Sequence, residues 1–458
     1  MNRWVPSLAL AVALLTAACS LGDPNATPRT TSEAAPVSAP PPIATPSSEP
    51  DPGTITAAPG STSAVYEPNP GAIVVAIDAG HGGCLDWGVP DPSERGVELA
   101  EKTLTLEIAR RLRDLLTAEG VGVVMIRDAD EALAGDDYPP LGCDGPPWRD
   151  VNGDGLSGFG PDVPEATRTR DELQARLDLA NLSGADALVS IHINSPSDGG
   201  ERIAIAFSET FYTDETPWGV PQSQGLAQAV EDGVVDRLSP LADYDRGDRG
   251  ITAHNLYIVA PPLFEPTEER PDPSKQPTRG GLMPVVLAEV GSITLRAEHD
   301  LLASADGQDA VARGLMDGVA HYLAARDLSA RIGLADAPLA DTPPVADGDG
   351  PPYWATVVTD GPIRLRLTNN GTAAWPAGLE LVAGLEVSVA PYLARPPTAL
   401  EPLAIDVPRL GPGESVVVVA DIPLPPSDRG LAWISLRNGS TTTADLGIPA
   451  LQVATQGR

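Results

Sequence analysis

The chain has 458 residues, with 63 acidic against 30 basic side chains and a formal net charge of −33. That balance excludes a nucleic-acid binder, which needs a basic footprint, and offers nothing to an anionic lipid surface. The length exceeds what one compact core usually holds and predicts more than one domain.

The first 19 residues read as an export signal. Arg3 supplies the charge, Trp4 to Thr16 form an apolar run too short to span a bilayer, and Ala17 and Ala18 precede Cys19. Leu-Thr-Ala-Ala before that cysteine resembles the lipobox of bacterial lipoproteins, although Thr16 stands where leucine is preferred. The resemblance implies lipidation at Cys19, and hence an exported, membrane-anchored protein facing the periplasm or cell wall. Residues 20–70 are rich in Pro, Ser, Thr and Ala; they lack the apolar surface to offset ordering entropy and are expected to be a disordered tether.

Ile73 to Asp78 is an apolar, β-branched run that stops at Ala-Gly-His-Gly-Gly, the pattern of a buried parallel strand ending in a turn. Glu101 to Glu119 has Leu104, Ile108, Leu112 and Leu115 at helical spacing, and Gly120 closes it. Val121 to Ile126 reads as a strand, about Asp171 to Leu182 as a helix, and Ala187 to Asn194 as a third strand. Further strands are expected at Ile203 to Phe207, Asn255 to Val259 and Met283 to Glu289, with helices at Gln222 to Leu238 and Gln308 to Ala325. This alternation predicts an α/β domain, 71–331, with a mainly parallel twisted sheet flanked by helices.

The polar residues fall at one edge of that sheet. His81 follows the first strand, His192 lies near the end of the third, Glu289 ends a later one, and Glu101 opens the first helix. Sites in open parallel sheets form at the carboxyl edge. Two histidines and a carboxylate make a catalytic zinc set that leaves a position for water. His254, His299 and His321 are read as structural.

Asp78-Ala-Gly-His-Gly-Gly83, Glu101-Lys-Thr-Leu-Thr-Leu106, Leu179-Ala-Asn-Leu182, Ser190-Ile-His-Ile-Asn194 and Leu287-Ala-Glu-Val-Gly291 occur in family order. Together they resemble the zinc-dependent N-acetylmuramoyl-L-alanine amidases of type 3, over about Ile73 to Leu323. The resemblance implies His81, Glu101 and His192 as zinc ligands and Glu289 as the catalytic carboxylate. It also implies peptidoglycan as partner, cleaved at the amide between N-acetylmuramic acid and L-alanine. A zinc-binding but inactive module that docks on the wall or activates a partner is the alternative. Two departures stand out: Cys84-Leu-Asp-Trp-Gly-Val where Asp-Pro-Gly-Ala is usual, and Gly291-Ser-Ile-Thr-Leu295 where Gly-Phe is favoured.

Residues 128–168 form an insertion rich in Gly, Pro and Asp; starting from the metal edge, it is expected to form a lid or rim over the cleft. With Cys19 lipidated, Cys84 and Cys143 are an even pair in an exported chain and are expected to form a disulfide that pins the insertion near His81. Asp150, Asn152 and Asp154, with Gly155 sixth, match the front half of a calcium loop, but Pro161 occupies the position of the last ligand. Residues 332–352 read as a second linker. Residues 353–455 carry short strands, turn signals, Trp375 and Trp433, and resemble a small all-β immunoglobulin-like sandwich with core tryptophans.

Overall fold

The computed structural model describes residues 65–66, 73–83, 86–89, 96–134, 151, 165–214, 222–260, 280–326, 328–335, 356–358, 361–387, 399–425, 430–442 and 448–455. The sheet of the first domain contains β1 (Val65–Tyr66), β2 (Val74–Ala79), β3 (Gly122–Met125), β4 (Ala187–Asn194), β5 (Ala206–Tyr212), β6 (Arg246–Ala253) and β7 (Val285–Ser292). Their order is β1-β3-β2-β4-β7-β5-β6. The pairs β2–β3, β2–β4, β4–β7 and β5–β6 are parallel, while β1–β3 and β5–β7 are antiparallel. The sheet is therefore mainly parallel, as expected.

Helices cover both faces. On one face lie α1 (Glu101–Ala118), α3 (Gln222–Leu238) and α5 (Ala305–Ala324), whose Leu104, Ile108, Leu112, Leu226, Val230, Val311 and Leu315 pack on Val75, Ile77, Val189, Ile191 and Val286. On the other lies α2 (Glu165–Ser183), with Ala175, Leu177 and Ala180 against Val74, Ala76, Leu188, Leu287 and Phe211. Side chains alternate along each strand, so each strand feeds both cores, which is why the sequence shows continuous apolar runs.

Several element boundaries differ from the sequence reading. The strand expected at 203–207 runs instead over Ala206–Tyr212, and 257–259 is a single 3₁₀ turn. The missed strand, β6, reads Arg-Gly-Asp-Arg-Gly-Ile-Thr-Ala. It lies at the sheet edge, where half-exposed positions remove the apolar signal. A short helix, α4 (Arg296–Leu302), was also missed. Val65–Tyr66 fall within the expected tether, yet pair with β3.

The described residues between 328 and 455 form two sheets around a common core. Strands Arg331–Leu334, Ile363–Thr368 and Ser415–Ala420 make one; Thr356–Val358, Leu451–Thr455, Gly430–Asn438, Glu380–Val387 and Glu401–Asp406 make the other, with Thr441–Thr442 paired to Gly430–Asn438. Trp375, Leu365, Leu381, Ile434 and Val453 fill the space between them. Residues 331–334 pair with 365–368, so they belong to this unit and not to the end of the first domain and the linker. The unit joins the first domain through Asp186, at the sheet edge opposite His81. The Asp186 carboxylate accepts from Val74 N at 2.9 Å, Arg326 Nη1 at 3.1 Å and Asn370 Nδ2 at 3.3 Å. Ser329 Oγ donates to Asn370 at 2.7 Å, and Trp375 Nε1 to the Ser329 carbonyl at 2.9 Å.

One buried acid gives the fold a pH dependence. Glu231 on α3 accepts from Ser208 Oγ at 2.5 Å and Thr210 Oγ1 at 2.7 Å. Burial, outweighing these donors, lifts its carboxyl from 4.5 to about 8. The folded state thus holds an extra proton between those values, and stability declines as pH rises through that window. Glu231→Gln should flatten the fall of melting temperature between pH 5 and pH 8; identical slopes in the two proteins would refute this.

Candidate metal centre

The carboxyl ends of β2 and β4 and the start of α1 converge. β2 ends at Ala79, and the chain turns through Gly80-His81-Gly82-Gly83 with His81 at φ 62, the one non-glycine residue with positive φ among those described. A left-handed non-glycine residue costs about 1–2 kcal/mol and persists only where its surroundings hold it. Here Arg176 Nη2 donates to the His81 carbonyl at 2.7 Å and Asp86 Oδ1 lies 2.6 Å from His81 Nδ1. Gly80 N donates to the Ile191 carbonyl at 2.9 Å, tying the loop to β4. A Cβ on Gly80 would lie 2.5 Å from the His192 ring, so the loop passes where only glycine fits.

Three of the four expected site residues meet. His81 Nε2 lies 3.1 Å and His192 Nδ1 3.3 Å from the same oxygen, Glu101 Oε1. One donor atom from each residue falls within 4.8 Å of the others. Four ligands about 2.05 Å from a tetrahedral zinc stand about 3.3 Å apart, a spacing that the two distances to Glu101 Oε1 match. Glu101 is held by Ile193 N at 2.9 Å to Oε1 and by Val89 N at 3.1 Å to Oε2.

The electrostatics bind the same residues to one another. Burial alone would lower the His81 imidazole, but Asp86 and Glu101 hold it well above its ordinary value. Burial would raise Asp86 and Glu101, but His81 outweighs it, taking Asp86 down to about 2 and Glu101 lower still. His81, Asp86 and Glu101 are thus one electrostatically coupled group.

Glu289 is the fourth expected residue. It sits on β7 directly beside His192 in register and is 4 % exposed. His192 and Glu289 project from the face that α2 covers, as their neighbours Leu188 and Leu287 do. The carboxylate is thus adjacent to the three-donor cluster without belonging to it.

The residues that position the loop were not expected. Three buried cations thread beneath it. Arg127 donates to the carbonyls of Ala79, Gly80 and Lys102 at 2.8, 3.0 and 2.7 Å. Arg176 reaches Asp78 at 2.6 Å, Glu172 at 2.9 Å and the carbonyls of Ala79 and His81. Lys102 Nζ donates to the Gly83 carbonyl and to Asp130, both at 2.7 Å, and lies 3.6 Å from the centre of the Trp87 ring. Burial and then Arg176 lower Arg127 to about 10, whereas Asp78 and Glu172 outweigh burial and raise Arg176. Arg176 is therefore the firmly charged centre. Its one advance signal was Glu172 four residues earlier on the same helix.

The described start of the insertion packs behind this loop. Leu133 N and Ala134 N donate to Glu172 Oε2 at 2.6 and 2.8 Å, Val151 N donates to Asp171 at 2.7 Å, and the Glu131 carbonyl lies against Gly82. The expected sites at Cys84, Cys143, Asp150, Asn152, Asp154 and Cys19 lie outside the described residues. Of the histidines read as structural, His299 is buried with Nε2 2.8 Å from the Leu99 carbonyl, just ahead of Glu101.

Comparison with known proteins follows the same boundaries. A family model described as N-acetylmuramoyl-L-alanine amidase matches residues 75–321. The germination-specific N-acetylmuramoyl-L-alanine amidase of Bacillus subtilis is 25% identical over 250 residues, 54% of this chain and 79% of that protein. The sporulation-specific N-acetylmuramoyl-L-alanine amidase of the same organism is 26% identical over 247 residues, 54% of this chain and 66% of that one. Among solved structures, an N-acetylmuramoyl-L-alanine amidase from Clostridium difficile 630 is 26% identical, covering 56% of this chain and 99% of its own, with a TM-score of 0.37. AmiC2 of Nostoc punctiforme is 25% identical over 55% of this chain and 97% of its own, with a TM-score of 0.35.

Proposed function

This chain belongs to the N-acetylmuramoyl-L-alanine amidase family, and we propose from that premise how its residues cleave the amide between N-acetylmuramic acid and L-alanine in peptidoglycan. The observation that carries the reading is the convergence of His81, Glu101 and His192 within one donor-atom cluster beside Glu289. We assign the three as zinc ligands. Zinc, when bound, lowers the pKa of water and polarises the scissile carbonyl.

The chain's own groups do the rest. Asp86 accepts a hydrogen bond from His81 Nδ1–H, which would fix the tautomer and leave Nε2, beside Glu101, as the atom that holds the metal. Ile193 N and Val89 N hold the Glu101 carboxylate so that it cannot swing away. Glu289 takes a proton from the attacking water and returns it to the departing amine of L-alanine, leaving a muramoyl carboxylate and a peptide with a free amino terminus.

Around this centre, lipidation of Cys19 and the tether of residues 20–70 would hold the enzyme to a membrane while it reaches the wall. No helix among the described residues is long and apolar enough to cross a membrane. The two-sheet unit with buried Trp375 and Trp433 supports the immunoglobulin-like reading. The Cys84–Cys143 bond, the lid and a calcium loop at Asp150, Asn152 and Asp154 rest on sequence pattern alone.

Purified wall sacculi test the function. Stem peptides carrying a new N-terminal alanine should be released, release should stop with a zinc chelator, and added zinc should restore it. Binding to sacculi with no release at any zinc concentration would leave the docking module.

A further inference from the structure

The row that contains His192 and Glu289 continues across the sheet. Glu289 pairs with Glu209 on β5, so His192, Glu289 and Glu209 stand side by side on three adjacent strands. Phe207, Glu209 and Phe211 share one face of β5 by the two-residue period, and Phe211 packs in the core that α2 covers. Because β5 runs antiparallel to β7, its first residues, Phe207 and Glu209, lie at the metal edge.

Opposite Glu209 the edge strand is irregular. Ser208 pairs with Asp248 but Thr210 pairs with Ile251, so Arg249 and Gly250 together face one residue. This is a β-bulge, with Gly250 at φ 70 and Gly250 N bonded to Asp248 Oδ1 at 2.6 Å. Bulges beside active sites re-aim a side chain. Here the Arg249 guanidinium carbon stacks 3.6 Å from the centre of the Phe207 ring. Its Nη1 makes a long ion pair with Glu209 Oε2 at 3.7 Å, beyond hydrogen-bond distance, so its N–H groups stay open to a closer acceptor. Thr252 Oγ1 donates at 2.6 Å to the other oxygen of that carboxylate, Glu209 Oε1.

Arg249 thus has a fixed plane, a side chain 36% exposed, and no hydrogen bond from its guanidinium to the described residues. It also differs from the other cations of this edge. Arg127, Arg176 and Lys102 are buried and committed to loop carbonyls. The carboxylates of the row and of the donor cluster, Glu101, Glu289, Glu209 and Asp86, repel an anionic ligand, whereas Arg249 attracts one.

We infer that Arg249 receives a carboxylate of the peptide portion of the substrate, and so sets which stem peptides the enzyme prefers; the inference rests on the amidase reading. The scale fits. Two strand spacings separate His192 from Glu209, about 10 Å, and an extended peptide covers about 3.3–3.6 Å per residue. The carboxylate therefore belongs to the second or third residue beyond the cleaved amide. A planar guanidinium suits it because two parallel N–H groups match two carboxylate oxygens.

The test uses the full chain with zinc and two soluble muropeptides of the same peptide sequence, one with free carboxylates and one with carboxamides. Wild type should favour the free-carboxylate substrate by about tenfold in kcat/KM, the size of one charge-assisted pair, with the difference in KM. Arg249→Ala should erase that preference by raising KM for the free-carboxylate substrate, while cleavage of the carboxamide reports an intact fold. Arg249→Lys should keep part of the preference. Equal KM values for the two substrates in wild type would overturn the inference and leave the amidase reading standing, as would a preference unchanged in Arg249→Ala. Cleavage of neither substrate by wild type would remove the amidase reading, and this inference with it.

Discussion

Glu289→Gln should lower kcat on peptidoglycan by about 10²- to 10⁴-fold, the range of a positioned acid–base group, while leaving the zinc content of the purified protein unchanged. The substitution keeps the shape of the side chain and removes only its capacity to take and return a proton. Glu289 lies beside His192 in register but outside the three-donor cluster, so metal binding should not depend on it. Glu101→Gln should behave oppositely, because its oxygen lies 3.1 Å and 3.3 Å from the two histidine nitrogens and the change removes a ligand charge. Metal analysis and steady-state kinetics on both variants separate the two roles. If Glu289→Gln kept kcat within threefold of wild type, Glu289 would not be the acid–base group.

Arg176→Met should destabilise the protein by about 3–5 kcal/mol, because it strands two buried carboxylates. Asp78 and Glu172 are 1% and 4% exposed and take the guanidinium at 2.6 and 2.9 Å. A loss of that size is a large share of a typical domain's stability of about 5–15 kcal/mol. The same side chain donates to the His81 carbonyl, so the left-handed turn at His81 should relax and zinc affinity fall as well. Adding Asp78→Asn to Arg176→Met should recover part of the stability, since the uncompensated charge is removed with its partner. Urea unfolding of the three proteins measures this. A change below about 1 kcal/mol in Arg176→Met would show that the network is not a structural centre.

Much of the site was legible because its chemistry lies in local patterns. Ile-Val-Val-Ala-Ile-Asp followed by Ala-Gly-His-Gly-Gly reads as a buried strand running into a glycine turn, and Ser-Ile-His-Ile-Asn ends another strand of the same kind. Parallel strands place their carboxyl ends together, so His81 and His192 had to share an edge. Resemblance supplied the roles, which no spacing states. By contrast, Arg-Gly-Asp-Arg-Gly gave no strand signal, because an edge strand with a bulge needs neither alternation nor apolar side chains.

By itself the sequence determined the α/β class, the mainly parallel sheet and the two histidines and two glutamates at its edge. Each depends on residues close together in the chain and on the periodicity of their burial. Tertiary structure alone decided what holds them. Arg176 and Asp78 meet from 98 positions apart, Arg111 reaches Asp309 from 198, and strand 331–334 leaves the expected linker to pair with 365–368. An arginine on an amphipathic helix looks the same in sequence whether it faces water or carboxylates. Only the packing that excludes water makes the charge pair obligatory, and with it the shape of the loop that carries His81.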